Sequence, residues 1–136
     1  MDFPEFKLAD KGTFFAVLIF DDYVIKVPRE RKIEKIRNQL KRMEFVQNKL
    51  ARKVPGVLPC KLHNNCIVMP RAPGVRCNEL EGRLKRRADE LMGKLADQFK
   101  AMGYRTEEIN GRNTFYDEET DTVYFVDFHD MQKVGE

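Results

Sequence analysis

Apolar runs in the first half of the chain predict β-strands. The segment 14–29, FFAVLIFDDYVIKVPR, predicts two strands around an Asp21-Asp22 turn, and one further strand is expected before it. VLPCKL (57–62) and CIVMP (66–70) predict two more strands on either side of a short polar turn. Together these runs predict an antiparallel sheet.

Two other stretches carry apolar residues at steps of three and four, which is the spacing of one helix face. The first predicted helix runs over 29–52, from Arg29 to about Arg52, and is stopped by Pro55-Gly56. The second runs over 84–102, and Gly103 follows it as a C-cap.

The last quarter of the chain predicts a loop and a hairpin. The loop lies at 108–113, and the strands after it lead to Asp127-Phe128. The predicted order is three strands, a helix, two strands, an extended linker, a helix, a loop and two strands, which is an α+β architecture. A length of 136 residues with 42% hydrophobic content fits a single domain.

The charge of the chain is nearly balanced, with 25 basic and 22 acidic residues and a net charge of +3. This balance does not by itself predict a nucleic-acid partner. No apolar run reaches the roughly 18 residues of a membrane span, and MDFPEFKLADKG lacks the pattern of a signal peptide. We therefore expect a cytoplasmic protein with no membrane partner.

The cysteines allow two interpretations. Cys60, Cys66 and Cys77 contain no C-x-x-C pair, which is typical of free thiols in a reducing compartment. Cys60, His63 and Cys66 lie close together in PCKLHNNC and form a candidate zinc site. They lie on both sides of a predicted strand turn and have no evident fourth ligand, so free thiols are favoured.

Three polar residues point to a metal–phosphate site. Lys26 lies within an apolar strand sequence, where a charge is costly unless it is paired or meets an anion. Asn113 and Asp127 lie at the two ends of the predicted hairpin, and strands hold side chains at fixed separations. Their oxygen atoms are ligands that suit Mg²⁺.

Three motifs, in this order along the chain, resemble motifs of protein kinases. Val24–Val27 (VIKV) is similar to the V-A-I-K strand, and TEEINGRN at 106–113 is similar to the catalytic loop H-R-D-x-x-x-x-N. Asp127–His129 is similar to D-F-G, with His in place of Gly. The resemblance covers about 8–128 of the chain.

This resemblance implies a protein-kinase-like fold in one minimal domain. The expected N-lobe, about 1–69, is an antiparallel sheet with one long helix, and the hinge is expected at 70–77. The reduced C-lobe, 78–136, is expected to hold one main helix, the catalytic-type loop and the β-hairpin.

The resemblance also implies an ATP site. Lys26 would contact the phosphates, and Glu44, 18 residues after it, would hold Lys26, with Glu34 as the competing helix position. The resemblance implies a phosphate-covering loop at Gly12, Thr13 and Val17, although the flanking glycines of the family are absent here. It also implies a gatekeeper at Met69 and an adenine-binding hinge at Pro70 and Ala72.

The implied catalytic and magnesium groups lie in the second half of the chain. Asn113 and Asp127 would hold Mg²⁺, and Glu108 occupies the position of the family's base, one methylene longer than Asp. Thr106 and Glu107 replace the His and Arg that brace the family's loop. A misplacement on the order of 1 Å can cost about 100-fold in rate, so these replacements bear on activity more than on nucleotide binding.

Two functions follow as expectations: a minimal phosphotransferase that transfers the γ-phosphate of ATP to a hydroxyl acceptor, and an inactive pseudokinase that acts by binding a protein. A nucleic-acid-binding domain that uses RLKRR (83–87) and the helix at 29–53 is the least favoured. Only nine residues follow Asp127, so the helical half of a full kinase is not expected in this chain. Without a peptide-docking half, the expected acceptor is a small molecule, the chain's own side chains, or a protein recognised through another surface or a dimer partner. Apolar surface left exposed in this way also predicts self-association as a homodimer.

Overall fold

The structure is a computed structural model, and it describes residues 7–9, 15–29 and 33–134. Its elements form an α+β protein with an antiparallel sheet and two helices, as the sequence predicts. In chain order they are β1 (Lys7–Ala9), β2 (Phe15–Ile19), β3 (Tyr23–Pro28), α1 (Ile33–Ala51), β4 (Lys61–His63), β5 (Cys66–Pro70), β6 (Val75–Arg76), a 3₁₀ turn (Cys77–Glu79), α2 (Gly82–Ala101), β7 (Tyr104–Arg105), β8 (Thr114–Asp117), β9 (Thr122–Phe125) and β10 (Gln132–Lys133).

The described residues divide into two compact units. The first contains the residues up to Phe45 together with Pro59–Arg71, and the second contains Val46–Leu58 and the residues from Ala72 onward. Residues 46–58 thus belong to the second unit, although they lie along the chain between the two segments of the first.

The first unit is built on a five-stranded antiparallel sheet with the strand order β1-β2-β3-β5-β4. β2 and β3 form the predicted hairpin around Asp21-Asp22, where the Phe20 N–H donates to the Tyr23 carbonyl at 2.9 Å. β3 is the central strand of the sheet. β3 is therefore hydrogen-bonded to a strand on each side, β2 and β5.

The first part of α1 covers one face of this sheet. Its spacing of apolar residues places Ile36, Leu40 and Met43 on one side of the helix, and they are buried with Phe15 and Ile67 of the sheet. The prediction began this helix at Arg29, but Arg29 lies in a bend and the described helix begins at Ile33. The residues between them lie outside the described part of the chain.

The segment 57–62, predicted as a strand, is a strand only at its end, in Lys61 and Leu62 of β4. Val57 instead donates its N–H to the Val54 carbonyl at 3.1 Å in a turn and is buried in the core of the second unit. Pro59 has no N–H to give to a ladder, which accounts for the late start of β4.

The second unit packs α2 against the β8-β9 hairpin. The apolar face of α2 is buried as its spacing predicts, and Phe99 from this face meets Phe125 and Phe128. The ring centroids of Phe99 and Phe125 are 5.7 Å apart, and those of Phe125 and Phe128 are 4.9 Å apart. This aromatic cluster holds the end of the hairpin on the helix.

The second unit contains two short strand pairs that the sequence does not predict. β6 pairs with β8 and β7 pairs with β10, each over two residues of the partner strands. Gly74, just before β6, has a φ of +95°, and a Cβ there would collide with the Tyr116 carbonyl. The chain before β6 therefore needs a glycine at position 74 to approach β8 so closely.

Neither of the two helices in the described chain offers an apolar stretch long enough to cross a bilayer.

A polar cluster fixes the β8-β9 turn to α2. Arg87 donates through Nε and Nη2 to the two carboxylate oxygens of Asp121, at 3.0 and 2.5 Å, and through Nη1 to Glu90 at 3.1 Å. The Tyr116 hydroxyl donates to Asp121 at 2.7 Å. Hydrogen bonds from Arg87 and then Tyr116 lower the pKa of Asp121 to about 2.

We expect Asp121 to stabilise the protein in a pH-dependent way. Because its pKa falls from 3.8 to about 2 on folding, the stabilisation is present above pH 3.8 and is lost as the pH falls through 2. Asp121→Asn should lower the thermal midpoint at neutral pH, and the difference from wild type should narrow as the pH approaches 2. Asn tolerates the positive φ of this position, so the substitution tests the charge. Glu119→Gln, exposed in the same turn, is the control, and a difference for Asp121→Asn that stays constant with pH would contradict this prediction.

Candidate functional site

Some of the predicted site residues lie outside the described part of the chain. They are Gly12 and Thr13 of the phosphate-covering loop and the side chain of Glu34. The remaining residues divide between the two units, and each group is described within its own unit.

Lys26 is buried near the middle of the sheet in the first unit, with 6% of its surface exposed. It lies in β3, opposite Val17 of β2 and Ile67 of β5, so these three residues project on the same face, which is the face that α1 covers. Its Nζ lies 5.8 Å from the centroid of the Phe15 ring, within the range of a cation–π interaction. The first unit therefore carries a buried lysine in the middle of its sheet, with its ammonium beside the Phe15 ring.

Glu44 lies on α1, where its Oε2 accepts a hydrogen bond from the Leu62 N–H of the edge strand β4. The charges of both Glu44 and Lys26 affect the pKa of Cys60. The pKa of the Cys60 thiol is raised to about 12, mainly by burial and also by the charge of Glu44, while the charge of Lys26 acts in the opposite direction. The charges of Lys26 and Glu44 therefore both act on the Cys60 thiol.

The predicted hinge begins where the chain leaves the sheet. Met69 is buried in β5, and Pro70, the last residue of that strand, is exposed. The Arg71 N–H donates to the Asp22 carbonyl at 3.0 Å, which ties the exit of the chain to the β2-β3 turn. Ala72 follows and is half-buried in the second unit.

The loop at 106–113 is held by its own side chains. Thr106 Oγ1 accepts a hydrogen bond from the Glu108 N–H at 3.1 Å, and Asn110 Oδ1 accepts one from the Arg112 N–H at 3.0 Å. Both are local turns of a kind that Thr and Asn form readily. Thr106, at the position of the family's bracing His, thus fixes the backbone of Glu108.

Asn113 connects this loop to the end of the hairpin. Its Nδ2 donates to the Glu108 carbonyl oxygen at 3.0 Å and to Glu108 Oε2 at 3.2 Å. Its own carbonyl accepts the Val126 N–H at 3.1 Å, and Asp127 is the next residue. The hairpin therefore brings Glu108, Asn113 and the backbone of Asp127 to one end of the second unit.

His129 joins this group through Asp127. Its Nδ1 contacts Asp127 Oδ1, and its backbone N–H lies 3.5 Å from the same oxygen. The hydrogen bond with Asp127 raises the pKa of His129, burial opposes this, and the charges of Asp127, Asp130 and Glu108 add to the rise. Glu108 and Asp127 therefore act on one imidazole.

The end of the hairpin carries oxygen atoms of the chemical type that Mg²⁺ binds. Asn113 uses its amide nitrogen toward Glu108, and its Oδ1 and the Asp127 carboxylate are hard ligands of the kind that Mg²⁺ takes together with substrate phosphates. In the described part of the chain, no group of three or more His, Cys, Asp and Glu is placed to hold a metal ion. Cys60, His63 and Cys66 thus do not form the zinc site that their spacing offers.

Two residues of these groups were not expected from the sequence to act there. Thr106 could have been found, because a Thr two residues before a loop carboxylate is a signal for a local turn. Cys60 was considered only as a free thiol or a zinc ligand, and no local pattern predicts that the charges of Lys26 and Glu44 act on it, because these residues lie on distant segments of the chain.

Comparison with known proteins identifies the class of fold: an α+β fold that also forms part of a larger solved protein. That protein is WbdD. One WbdD structure, determined with a kinase inhibitor, matches at a TM-score of 0.61 and 16% identity, and another matches at 0.62 and 14%. Each match covers 98% of this chain and 34% of the WbdD chain, so this chain spans about a third of WbdD. No family model matches the chain, and no curated protein matches its sequence.

Proposed function

We propose that this chain is a minimal kinase-like phosphotransferase that binds ATP with Mg²⁺ and transfers the γ-phosphate to a hydroxyl acceptor. The observation that carries the proposal is the group of Glu108, Asn113 and Asp127 at one end of the β8-β9 hairpin. The fold likeness to part of WbdD supports it, since one WbdD structure was determined with a kinase inhibitor.

The first unit supplies the nucleotide contacts of this proposal. Lys26 is the phosphate-binding group of this proposal, because it is a cation held at a fixed place in the sheet and an ammonium binds phosphate oxygens as a point charge. Val17, its neighbour across the sheet, offers an apolar surface, and Met69 lines the adenine side. The Pro70 carbonyl of this unit is the proposed acceptor for the adenine edge, and the N–H of Ala72, which belongs to the second unit, is the proposed donor.

The second unit supplies the groups for magnesium and for transfer. Asn113 and Asp127 would hold the ion, and a bound Mg²⁺ supplies positive charge against the phosphate oxygens. Glu108 accepts the proton of the acceptor hydroxyl, while Asn113 Nδ2 orients its carboxylate. The acceptor oxygen bonds to the γ-phosphorus, the bond from that phosphorus to the bridging oxygen breaks, and ADP leaves.

Thermal unfolding with and without ATP and Mg²⁺ tests the binding half of the proposal. At ligand near 100 times Kd, binding adds about 2.7 kcal/mol, which is a rise of roughly 10 °C in the midpoint for a domain of this size. Asp127→Ala should remove the part of the rise that requires Mg²⁺, and Asp97→Ala, on the exposed side of α2, should keep it. A thermal midpoint of the wild-type protein that does not change with millimolar ATP would contradict the proposal.

A nucleotide-binding module without catalysis is the second candidate function. It is favoured by the loop itself, in which Thr106 and Glu107 stand where kinases carry His and Arg, and Glu108 is longer than the family's Asp. Such a protein would keep the magnesium-dependent rise in the midpoint and show no phosphate transfer. Its occupied pocket would then serve to bind another protein.

A further inference from the structure

The carboxylate of Asp127 lies just beyond the strand ladder. The last residue of β9 is Phe125, so Asp127 is two residues outside it. Strand pairing fixes the backbone up to this point, but it does not fix the χ angles of a side chain that follows the ladder. A neighbouring hydrogen-bond donor can select one orientation of the carboxylate.

His129 provides donors from a fixed backbone. Phe128, between the two residues, is fully buried in the aromatic cluster with Phe99 and Phe125. The Met131 N–H then lies 3.4 Å from the Phe128 carbonyl, which closes the turn that carries His129. The burial of Phe128 thus sets the positions of Asp127 and His129 together.

Both donors of His129 address one oxygen atom of Asp127. The backbone N–H is 3.5 Å from Oδ1, a long contact, and Nδ1 lies closer to the same atom. A glycine, which the kinase resemblance leads one to expect here, would offer only the long backbone contact. A carboxylate accepts at both oxygens, so donation to Oδ1 is compatible with metal binding through Oδ2.

We propose that His129 is a positioning residue for Asp127, and that its Nδ1–H holds the carboxylate in the orientation that binds Mg²⁺. This inference rests on the proposed function. Donation does not require a charged ring, because the neutral tautomer with a proton on Nδ1 directs that proton at the same oxygen atom. Partners that orient metal ligands in this way typically change metal affinity by about 10- to 100-fold when they are lost.

Three substitutions of His129 separate the role of Nδ1 from that of the ring. His129→Asn places an amide nitrogen near the position of Nδ1, His129→Gln places one near the position of Nε2, and His129→Ala removes both. His63→Ala removes the other histidine, which is exposed in β4. The measurement is the Mg²⁺ concentration that gives half of the magnesium-dependent rise in the thermal midpoint at fixed ATP, with ATP in EDTA as the metal-free reference.

The Ala and Gln variants of His129 should raise this Mg²⁺ concentration by about 10-fold or more, whereas the Asn variant should stay within about threefold of wild type. The His63→Ala control should match wild type. The rise given by ATP in EDTA should be the same in all variants, because a purely structural defect would change it as well.

Failure of this inference and failure of the proposed function give different results. A wild-type protein without a magnesium-dependent rise would overturn both. A normal wild-type response with an unchanged Mg²⁺ midpoint in His129→Ala would overturn the inference alone, and so would equal losses in the Asn and Gln variants. In the metal-free protein, imidazole ¹⁵N shifts should show a proton on Nδ1 that responds to Asp127→Asn, and a bare Nδ1 would also overturn the inference.

Discussion

Glu108→Gln is expected to lower the rate of phosphate transfer by at least about 100-fold while the magnesium-dependent binding of ATP is unchanged. Gln keeps the length of the side chain and an oxygen that can accept from Asn113 Nδ2, so the loop at 106–113 should keep its hydrogen bonds. It removes only the ability to take the proton of the acceptor hydroxyl. Transfer of labelled γ-phosphate, measured beside thermal unfolding with ATP and Mg²⁺, gives both results.

Glu107→Gln is the matched control, because Glu107 is the adjacent, exposed carboxylate of the same loop. Transfer that survives in Glu108→Gln at the rate of this control would remove Glu108 from the role of base. Absence of transfer in wild type, together with normal MgATP binding, would instead favour the non-catalytic nucleotide-binding module.

Local signals account for the parts of the fold that the sequence predicts well. The β2-β3 hairpin follows from apolar runs on both sides of Asp21-Asp22, and the helices follow from apolar spacing, with α2 starting two residues before the predicted Leu84. The meeting of Asn113 with the end of β9 follows from the same reasoning, since a hairpin brings its two ends together. The roles of these residues stay predictions.

Non-local pairing accounts for what the sequence does not predict. β6 and β7 are two residues long, and their partners β8 and β10 lie far along the chain. Such short strands show no alternation of apolar and polar residues from which they could be predicted. The charges of Lys26 and Glu44 act on Cys60 only because tertiary packing brings distant segments of the chain together. Val57 is apolar like a strand residue, but its burial in the second unit decides its conformation.

Phe128→Ala is expected to lower the free energy of unfolding by about 3–5 kcal/mol, the usual cost of truncating a buried phenylalanine. Phe128 is fully buried, and its ring lies 4.9 Å from that of Phe125 and 6.4 Å from that of Phe99. The truncation leaves a cavity in the core that holds the hairpin on α2. Urea unfolding measures the change.

Phe45→Ala is the control for this prediction, because Phe45 is 65% exposed on α1 and the same truncation there should stay within about 0.5 kcal/mol. A Phe128→Ala variant as stable as this control would mean that the aromatic cluster does not hold the hairpin. Phe128→Leu refills most of the cavity and should recover more than half of the loss. Because Phe128 lies between Asp127 and His129, magnesium-dependent ATP binding should weaken in Phe128→Ala and recover in Phe128→Leu. This result would show that the core, rather than the strand ladder, positions the proposed metal ligand Asp127.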